Sequence, residues 1–285
     1  MPAARMHDGW ITWQEHGPHE ADAPGEPVLM IMGLGASSRL WFRLLPHIAR
    51  RHRTIVFDNR GTGDSSPVRG RLSMRGLAHD ARAVLDDAGV ESAHVIGASM
   101  GGMIAQHLAL EDRASVRSLT LACTTPGGRS GVPPWRLLTT AALRPILGSR
   151  RTFPLVAPAL YANDTLKERP ARVREDLELR MQDNTSPLTL YAQMGAIAAH
   201  DTRPRLRELG GVPTLVVHGL EDNLVPHDRG RELAALIPGA RLELVPKCGH
   251  LLTTDAEEQV ATAIRAHLER HARKAVAEEE PGYAA

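Results

Sequence analysis

Three residues that lie far apart in the chain, Ser99, Asp222 and His250, have the side-chain types needed for nucleophilic catalysis. A serine hydroxyl is a weak nucleophile until a neighbouring base takes its proton, and a histidine held by a carboxylate is such a base. Ser99 stands between Gly97 and Gly101 in the stretch GASMG, where an apolar run ends and a helical pattern begins. The two glycines predict either a turn too tight for larger neighbours or a helix packed closely on a sheet.

The positions of Asp222 and His250 favour the catalytic interpretation. Like Ser99, each of them follows the end of an apolar run of strand length. In open α/β sheets the carboxyl ends of the strands form the edge where ligand sites lie. Glu221 is a second carboxylate beside Asp222, so two candidates exist for the partner of His250. The spacing from Gly219 favours Asp222.

The elements that must position these residues alternate regularly along the chain. The helical pattern 73–88 is the clearest, with Ser73 as a plausible N-cap, and a second helical pattern starts at Asp255. Short buried strands between amphipathic helices predict a mostly parallel sheet covered on both faces. The predicted strands are 10–14, 28–32, 54–57, 94–96, 118–122, 214–218 and 242–245.

One long interval interrupts this alternation. No strand pattern occurs between Thr124 and Pro213, and the interval is too long for a loop in a compact domain. Its helical patterns predict an inserted helical subdomain. We therefore predict a core α/β domain whose first part is 1–124, a helical cap subdomain at 125–212, the second part of the core at 213–270, and a flexible tail at 271–285.

Composition excludes several classes of partner. The 285 residues carry a net charge of +1, which favours neither nucleic acid nor an acidic membrane surface as a partner. No apolar run approaches the roughly 20 residues that span a bilayer. The first residues lack the apolar core of a signal peptide. We expect a cytoplasmic protein with a small-molecule substrate, and the sequence gives no indication of its oligomeric state.

The sequence predicts no metal and no cofactor. Cys123 and Cys248 lack metal-ligand spacing and form no disulfide framework, so we expect reduced thiols. The glycine-rich stretches GLGASS and GTGDSS complete neither a phosphate-binding loop nor a dinucleotide fingerprint. For the remaining histidines we expect structural roles at His94 and His107 and surface positions at His47, His52 and His79.

Five motifs in the same order resemble the α/β-hydrolase superfamily over about residues 26 to 270. The chain looks most similar to small serine hydrolases such as 3-oxoadipate enol-lactonases and polyketide methylesterases. The resemblance implies the α/β-hydrolase fold: a mostly parallel central sheet, helices on both faces and a helical cap insertion. A serine at 99 argues against haloalkane dehalogenases and epoxide hydrolases, which use an aspartate there. The motifs are IMGLG (31–35), FDNRGTGDSS (57–66), GASMGG (97–102), HGLEDNLVP (218–226) and CGHLL (248–252).

The resemblance also implies a role for each residue. Ser99 would attack a carbonyl, His250 would take and return the proton, and Asp222 would orient His250. The backbone N–H groups of Leu34 and Met100 would form the oxyanion hole.

A turn at Met32-Gly33 and a loop at 58–65 adjoin the expected site. Many relatives carry His-Gly at the turn where this chain has Met32-Gly33, which leaves open how the turn is held by hydrogen bonds. The loop 58–65 matches a structural loop of the family, although Asn59 could border the pocket.

The implied activity is cofactor-independent cleavage of a small, largely apolar carboxylic ester or lactone through an acyl-enzyme at Ser99. Thioesterase, C–C hydrolase, acyltransferase, perhydrolase and elimination chemistry on the same fold remain alternatives, as does a non-catalytic small-molecule receptor. The cap would supply much of the pocket. The expected substrate-binding residues are Gly33, Trp135, Phe153, Tyr161, Tyr191 and Met194.

Overall fold

The computed structural model describes residues 1–18, 25–128, 143, 148–183 and 185–272. Eight strands form one sheet in the order β1-β2-β4-β3-β5-β6-β7-β8. The first two strands run antiparallel to their neighbours, and all other pairs are parallel. The strands are β1 Ala3–Met6, β2 Gly9–His16, β3 Gly25–Ile31, β4 His52–Phe57, β5 Ala93–Ala98, β6 Val116–Ala122, β7 Thr214–Gly219 and β8 Arg241–Val245.

Helices cover both faces of this sheet, which explains why its central strands are apolar throughout. Alternate residues of β3 show the two faces: Leu29 packs with α2 and α3, whereas Met30 packs with α1 and α10. The predicted fold class is therefore confirmed. The helices are α1 Leu45–Ala49, α2 Met74–Asp87, α3 Met100–Glu111, α4 Ser149–Leu160, α5 Asn163–Glu168, α6 Pro170–Gln182, α7 Pro187–Ala198, α8 Asp228–Leu236, α9 Leu252–Asp255 and α10 Glu257–Arg270.

Most of the sequence-based elements are found at or near their expected places. Each predicted strand is present, and the Ser73 hydroxyl caps α2 by accepting a 3.1 Å hydrogen bond from the Gly76 N–H. The short edge strand β1 was not predicted, because AARM has no run of apolar residues. His52 was expected at the surface but is only 4% exposed. It begins β4, and its ring packs against Gly25 and bonds to the Glu26 carbonyl.

Helices α6 and α7 contact the segment that follows β3. Gln193 of α7 accepts a 2.8 Å hydrogen bond from the Gly35 N–H, and Asp183, just after α6, accepts one of 3.0 Å from the Ser37 N–H. No strand occurs between β6 and β7 in the described residues, where only an isolated bridge joins Gly127 to Asp201. Division of the chain into core, cap and tail stays a prediction.

Two further features concern the whole chain. Cys123 and Cys248 are both free and buried. Among the described helices, none has the length and apolar character to cross a bilayer.

Buried histidines predict that acid destabilises the fold. Burial depresses the pKa of His94, His200 and His267 to about 4. Between about pH 4 and the ordinary histidine value of about 6.5, the unfolded chain binds protons that the folded chain does not, so stability falls as pH falls. The free energy of unfolding falls between pH 7 and pH 5, and we expect this fall to be about 2 kcal/mol smaller in His267→Leu than in the wild type.

Urea unfolding at the two pH values measures this difference within each variant. The matched control is His79→Leu, because His79 is exposed and its replacement should change the pH dependence less than His267→Leu does. Equal pH dependence in wild type and His267→Leu would contradict the expectation.

Candidate active site

Ser99 occupies a strained turn between β5 and α3. Its backbone has φ 57° and ψ −120°, a combination that side chains disfavour and that costs on the order of 1–3 kcal/mol. The neighbouring chain holds it there on both sides. The Ser99 N–H donates to the Ala122 carbonyl at 2.9 Å, and the Thr124 hydroxyl donates to the Ser99 carbonyl at 2.7 Å. Such a turn lifts the serine hydroxyl out of the backbone at the carboxyl edge of the sheet.

The two flanking glycines are required by close contacts of backbone with backbone. A Cβ at Gly97 would collide with the carbonyl of Gly101, and a Cβ at Gly101 would collide with the carbonyl of Ile31. The first contact is internal to the turn, and the second is between the turn and β3. Gly97 thus allows the tight turn itself, and Gly101 allows the turn to pack closely on the sheet.

His250 is within hydrogen-bonding distance of both of its expected partners. Its Nε2 is 3.0 Å from the Ser99 Oγ, and its Nδ1 is 2.8 Å from Asp222 Oδ2. Because a carboxylate can only accept, Nδ1 carries the proton and Nε2 accepts from the serine. The structure therefore brings the three predicted residues together in the order hydroxyl, imidazole and carboxylate.

Asp222 is fixed by hydrogen bonds to both carboxylate oxygens. Oδ1 accepts from the backbone N–H groups of Leu224 and Val225 at 2.9 and 2.8 Å. Oδ2 faces His250 and also His218, whose Nε2 is 3.2 Å away. Burial alone would raise the pKa of the Asp222 carboxyl, but the two histidines outweigh burial and hold its pKa well below the ordinary value.

The hydrogen bonds show which of the two candidate carboxylates contacts His250, and they bring one further histidine to the site. Glu221 points elsewhere: its Oε2 accepts from the Asn163 N–H at 3.1 Å and makes no hydrogen bond to His250. His218 was not among the predicted site residues; it is buried and also donates to the Val225 carbonyl at 2.9 Å. The only signal in the sequence was its place four residues before Asp222 at the end of a strand.

The turn after β3 lies directly against the serine. A Cβ at Gly33 would come within 3.1 Å of the Ser99 Cβ. Within the described residues, neither the Leu34 N–H nor the Met100 N–H donates a hydrogen bond to the chain. For Met100 this is expected, because the first N–H groups of a helix have no acceptor within it. These two main-chain donors therefore have no acceptor within the described residues.

Asn59 supplies the hydrogen bond that holds the turn at Met32-Gly33. Its side-chain amide donates to the Met32 carbonyl at 2.8 Å, so the turn is held from behind by the loop after β4. Asn59 is fully buried and is not part of the cavity wall. The loop is therefore structural, and its Asn59 supports the turn instead of bordering the pocket.

A cavity of about 300 Å³ opens beside Ser99 and His250, and most of its wall is apolar. Gly33, Phe153 and Met194 line it as expected. Two expected residues do not. Tyr161 is buried behind the wall, where its hydroxyl donates to Asp176 at 3.0 Å, and Tyr191 is 49% exposed.

Helix periodicity explains the misplaced Tyr191. Leu190 and Met194, four residues apart on α7, both line the cavity, whereas Tyr191 lies about 100° further round the helix and faces outward. Trp135, the remaining predicted lining residue, lies outside the described residues.

One cluster in the described part of the chain has the side chains and spacing for a metal ion, and it lies away from Ser99. It consists of His47, Glu257 and Glu258, between α1 and α10. Arg172 makes an ion pair with Glu257 and supplies a countercharge there. The cluster is a partly exposed group of ion-paired side chains in this structure.

Comparison with known proteins places this site in a family. The model of the alpha/beta hydrolase fold family matches residues 26–256, and the chain belongs to that family. "Putative carbamate hydrolase RutD" of Azorhizobium caulinodans is 32% identical over 255 residues, covering 88% of this chain and 91% of that protein. A 2-hydroxy-6-oxo-6-phenylhexa-2,4-dienoate hydrolase of Burkholderia cepacia is 29% identical over 244 residues, covering 79% and 82%.

A solved structure shares the fold over nearly the whole chain. The enol-lactonase from Burkholderia xenovorans LB400 superposes with a TM-score of 0.83 at 22% identity, covering 94% of this chain and all of that one. These matches confirm the resemblance seen in the motifs. The protein is an enzyme of the α/β-hydrolase type.

Asp222→Asn tests which carboxylate orients His250. An asparagine favours the wrong tautomer of the imidazole, so we expect kcat to fall by about 10⁴-fold with the fold retained. Ester kinetics and circular dichroism measure the two effects. Glu221→Gln is the matched control and should keep activity within a few-fold. A larger loss in Glu221→Gln than in Asp222→Asn would refute the assignment.

Gly101→Ala tests the backbone packing of the turn. Its Cβ would meet the Ile31 carbonyl, so we expect the free energy of unfolding to fall by about 1–3 kcal/mol. Gly195→Ala is the control, because no atom of the described residues outside its own helix lies within 4 Å of the added Cβ and alanine favours the helix. Ser99→Ala should be stable but inactive. Urea unfolding that gives equal stabilities for the two glycine variants would contradict this account.

Proposed function

We propose that the protein is a cofactor-independent serine hydrolase that cleaves a small carboxylic ester or lactone through an acyl-enzyme at Ser99. The observation that carries this proposal is the continuous path from the Ser99 hydroxyl through His250 to Asp222, with distances of 3.0 and 2.8 Å, beside an apolar cavity. A nucleophile needs a base in contact and an orienting group behind that base. All three are in contact in the folded chain.

The mechanism follows from the protonation of His250. As the Ser99 Oγ attacks the substrate carbonyl carbon, its proton passes to His250 Nε2, and Asp222 stabilises the imidazolium that forms. The tetrahedral intermediate then expels the alcohol, which takes the proton from Nε2. In the second half a water donates its proton to the same nitrogen and attacks the acyl carbon, and Ser99 leaves with its proton restored.

The backbone N–H groups of Leu34 and Met100 would stabilise the oxyanion of that intermediate. Both are main-chain donors on turns with fixed positions, so they need no reorganisation during the reaction. One such donor is worth roughly 3–4 kcal/mol in hydrolases of this kind. Because the donors are main-chain groups, Met32 in place of the more usual histidine does not remove them.

The cavity supports a small substrate with an apolar body. Its volume of about 300 Å³ is at the lower end of the range for small-molecule sites. Phe153 and Leu160 on α4 and Leu190 and Met194 on α7 contribute to its wall. We propose on this basis that the inserted helices act as a cap that selects the substrate.

A carbamate is the second candidate substrate class. The RutD relative carries that activity in its name, and a carbamate presents the same kind of carbonyl carbon to Ser99 as an ester does. Attack, oxyanion stabilisation and proton transfer would be identical, and only the leaving group would differ. Parallel assays with an ester and a carbamate of equal size decide between the two.

Labelling with a fluorophosphonate tests the proposed nucleophile. We expect one covalent adduct per chain, located at Ser99 by peptide mass spectrometry, and no adduct in Ser99→Ala. His250→Ala should slow labelling by at least 100-fold because the base is gone. The exposed His79→Ala is the matched control and should label at the wild-type rate. Ester turnover with no adduct at Ser99 would point to another nucleophile and overturn the proposal.

A further inference from the structure

Gly35, in the turn after β3, is bonded to the stretch between β6 and β7 through both of its backbone polar groups. Its N–H donates to Gln193 Oε1 at 2.8 Å, and its carbonyl accepts from the Thr185 hydroxyl at 3.2 Å. Gly35 directly follows Leu34, whose N–H is a proposed oxyanion donor. The orientation of the peptide unit next to that donor therefore depends on α7, the helix that carries Gln193.

The side chain of Gln193 is fully buried but is not part of the cavity wall. Its amide nitrogen donates to the Arg60 carbonyl, in the loop after β4, at 3.4 Å. Because the Gly35 N–H can only donate and the Arg60 carbonyl can only accept, these two partners fix which end of the amide faces the turn. Leu190 and Met194 on the same helix do line the cavity. Gln193 thus contacts the turn without reaching a ligand in the cavity.

Three consecutive peptide units of the turn show what this hydrogen bond restrains. The N–H of Leu34 belongs to the middle unit. Asn59 holds the unit before it, by donating to the Met32 carbonyl at 2.8 Å, and Gln193 holds the unit after it. A peptide unit is planar, so one hydrogen bond to its carbonyl or its N–H restrains the whole unit. The donor unit therefore lies between two restrained units, and each restraint comes from a buried amide side chain.

The middle unit also has a weaker restraint within the turn. Its carbonyl, which belongs to Gly33, accepts from the Ala36 N–H at 3.4 Å. In a trans peptide the carbonyl and the N–H point in opposite directions, so the Leu34 N–H points away from Ala36. This N–H has no acceptor within the described residues, so its direction is set by the backbone on either side of it. Loss of the restraint on a neighbouring unit would let that direction change.

We propose that Gln193 is a positioning residue for the oxyanion hole, which fixes the direction of the Leu34 N–H and does not itself contact the substrate. A donor that is aimed in advance needs no reorganisation during the reaction, and removal of one such donor lowers kcat by about 10²–10³-fold. Loss of its support should cost less than loss of the donor, so we expect an effect of about tenfold to a hundredfold. This inference rests on the proposed function for the role of the oxyanion hole.

Two matched ketones measure stabilisation of the oxyanion separately from binding of the uncharged ligand. With butyl trifluoromethyl ketone the Ser99 Oγ bonds to the carbonyl carbon, its proton passes to His250 Nε2, and the carbonyl oxygen becomes an oxyanion. Butyl methyl ketone binds with its carbonyl intact. The ratio of their inhibition constants in p-nitrophenyl butyrate hydrolysis therefore reports on the oxyanion hole.

Gln193→Met fills nearly the same space without an acceptor for the Gly35 N–H. We expect it to reduce the advantage of the trifluoromethyl ketone at least tenfold, while the inhibition constant of the methyl ketone changes less than threefold. Gln193→Glu keeps an acceptor and should lose less of that advantage. The matched control is Gln106→Met, because Gln106 is equally buried but its hydrogen bonds go elsewhere, to Gly102, Thr125 and Thr202. It should keep the ratio within threefold of the wild type.

The outcomes distinguish positioning from a merely structural role. Equal losses of affinity for both ketones, an unchanged ratio in Gln193→Met, or the same loss in Gln193→Glu as in Gln193→Met would each overturn the inference. If Gln193→Met does not fold, Gln193→Asn takes its place, because its amide is one methylene too short to reach Gly35, and the same loss is expected. Absence of p-nitrophenyl butyrate turnover and of Ser99 labelling in the wild type overturns the serine-hydrolase function instead.

Discussion

The positive φ of Ser99 is the constraint on which the rest of the site depends. A serine does not adopt φ 57° without support, and the support comes from three parts of the core. The end of β6 accepts its N–H, Thr124 donates to its carbonyl, and the glycines on either side allow the turn to contact itself and β3. The strain is local, and the parallel sheet that holds it is stabilised by two separate apolar cores.

Hydrogen bonds connect two loops near Ser99 to the helices between β6 and β7. The turn after β3 is bound by Gln193 and Asp183, and the loop that carries His250 is bound to α4 through the Leu251 N–H and the Leu160 carbonyl. Both loops therefore have a direct hydrogen bond to the part of the chain that forms much of the cavity wall.

Electrostatics follow a consistent pattern around the site. Asp222 is buried but remains ionised, because two histidines and two backbone N–H groups compensate for the loss of water. Asp176 is compensated in a similar way by Arg43 and two hydroxyls.

The sequence by itself determined where most of the strands lie along the chain and the helical character of α2 and α10. It also determined the positions of Ser99, Asp222 and His250 after strand ends. These are encoded locally, because apolar periodicity and glycine spacing act over a few residues. Only the tertiary structure decided that Asn59 supports the turn, that His218 contacts Asp222, and that Tyr161 and Tyr191 lie outside the cavity wall. Those outcomes depend on which face of a short helix packs inward and on contacts between distant segments. No local pattern in the sequence specifies either of them.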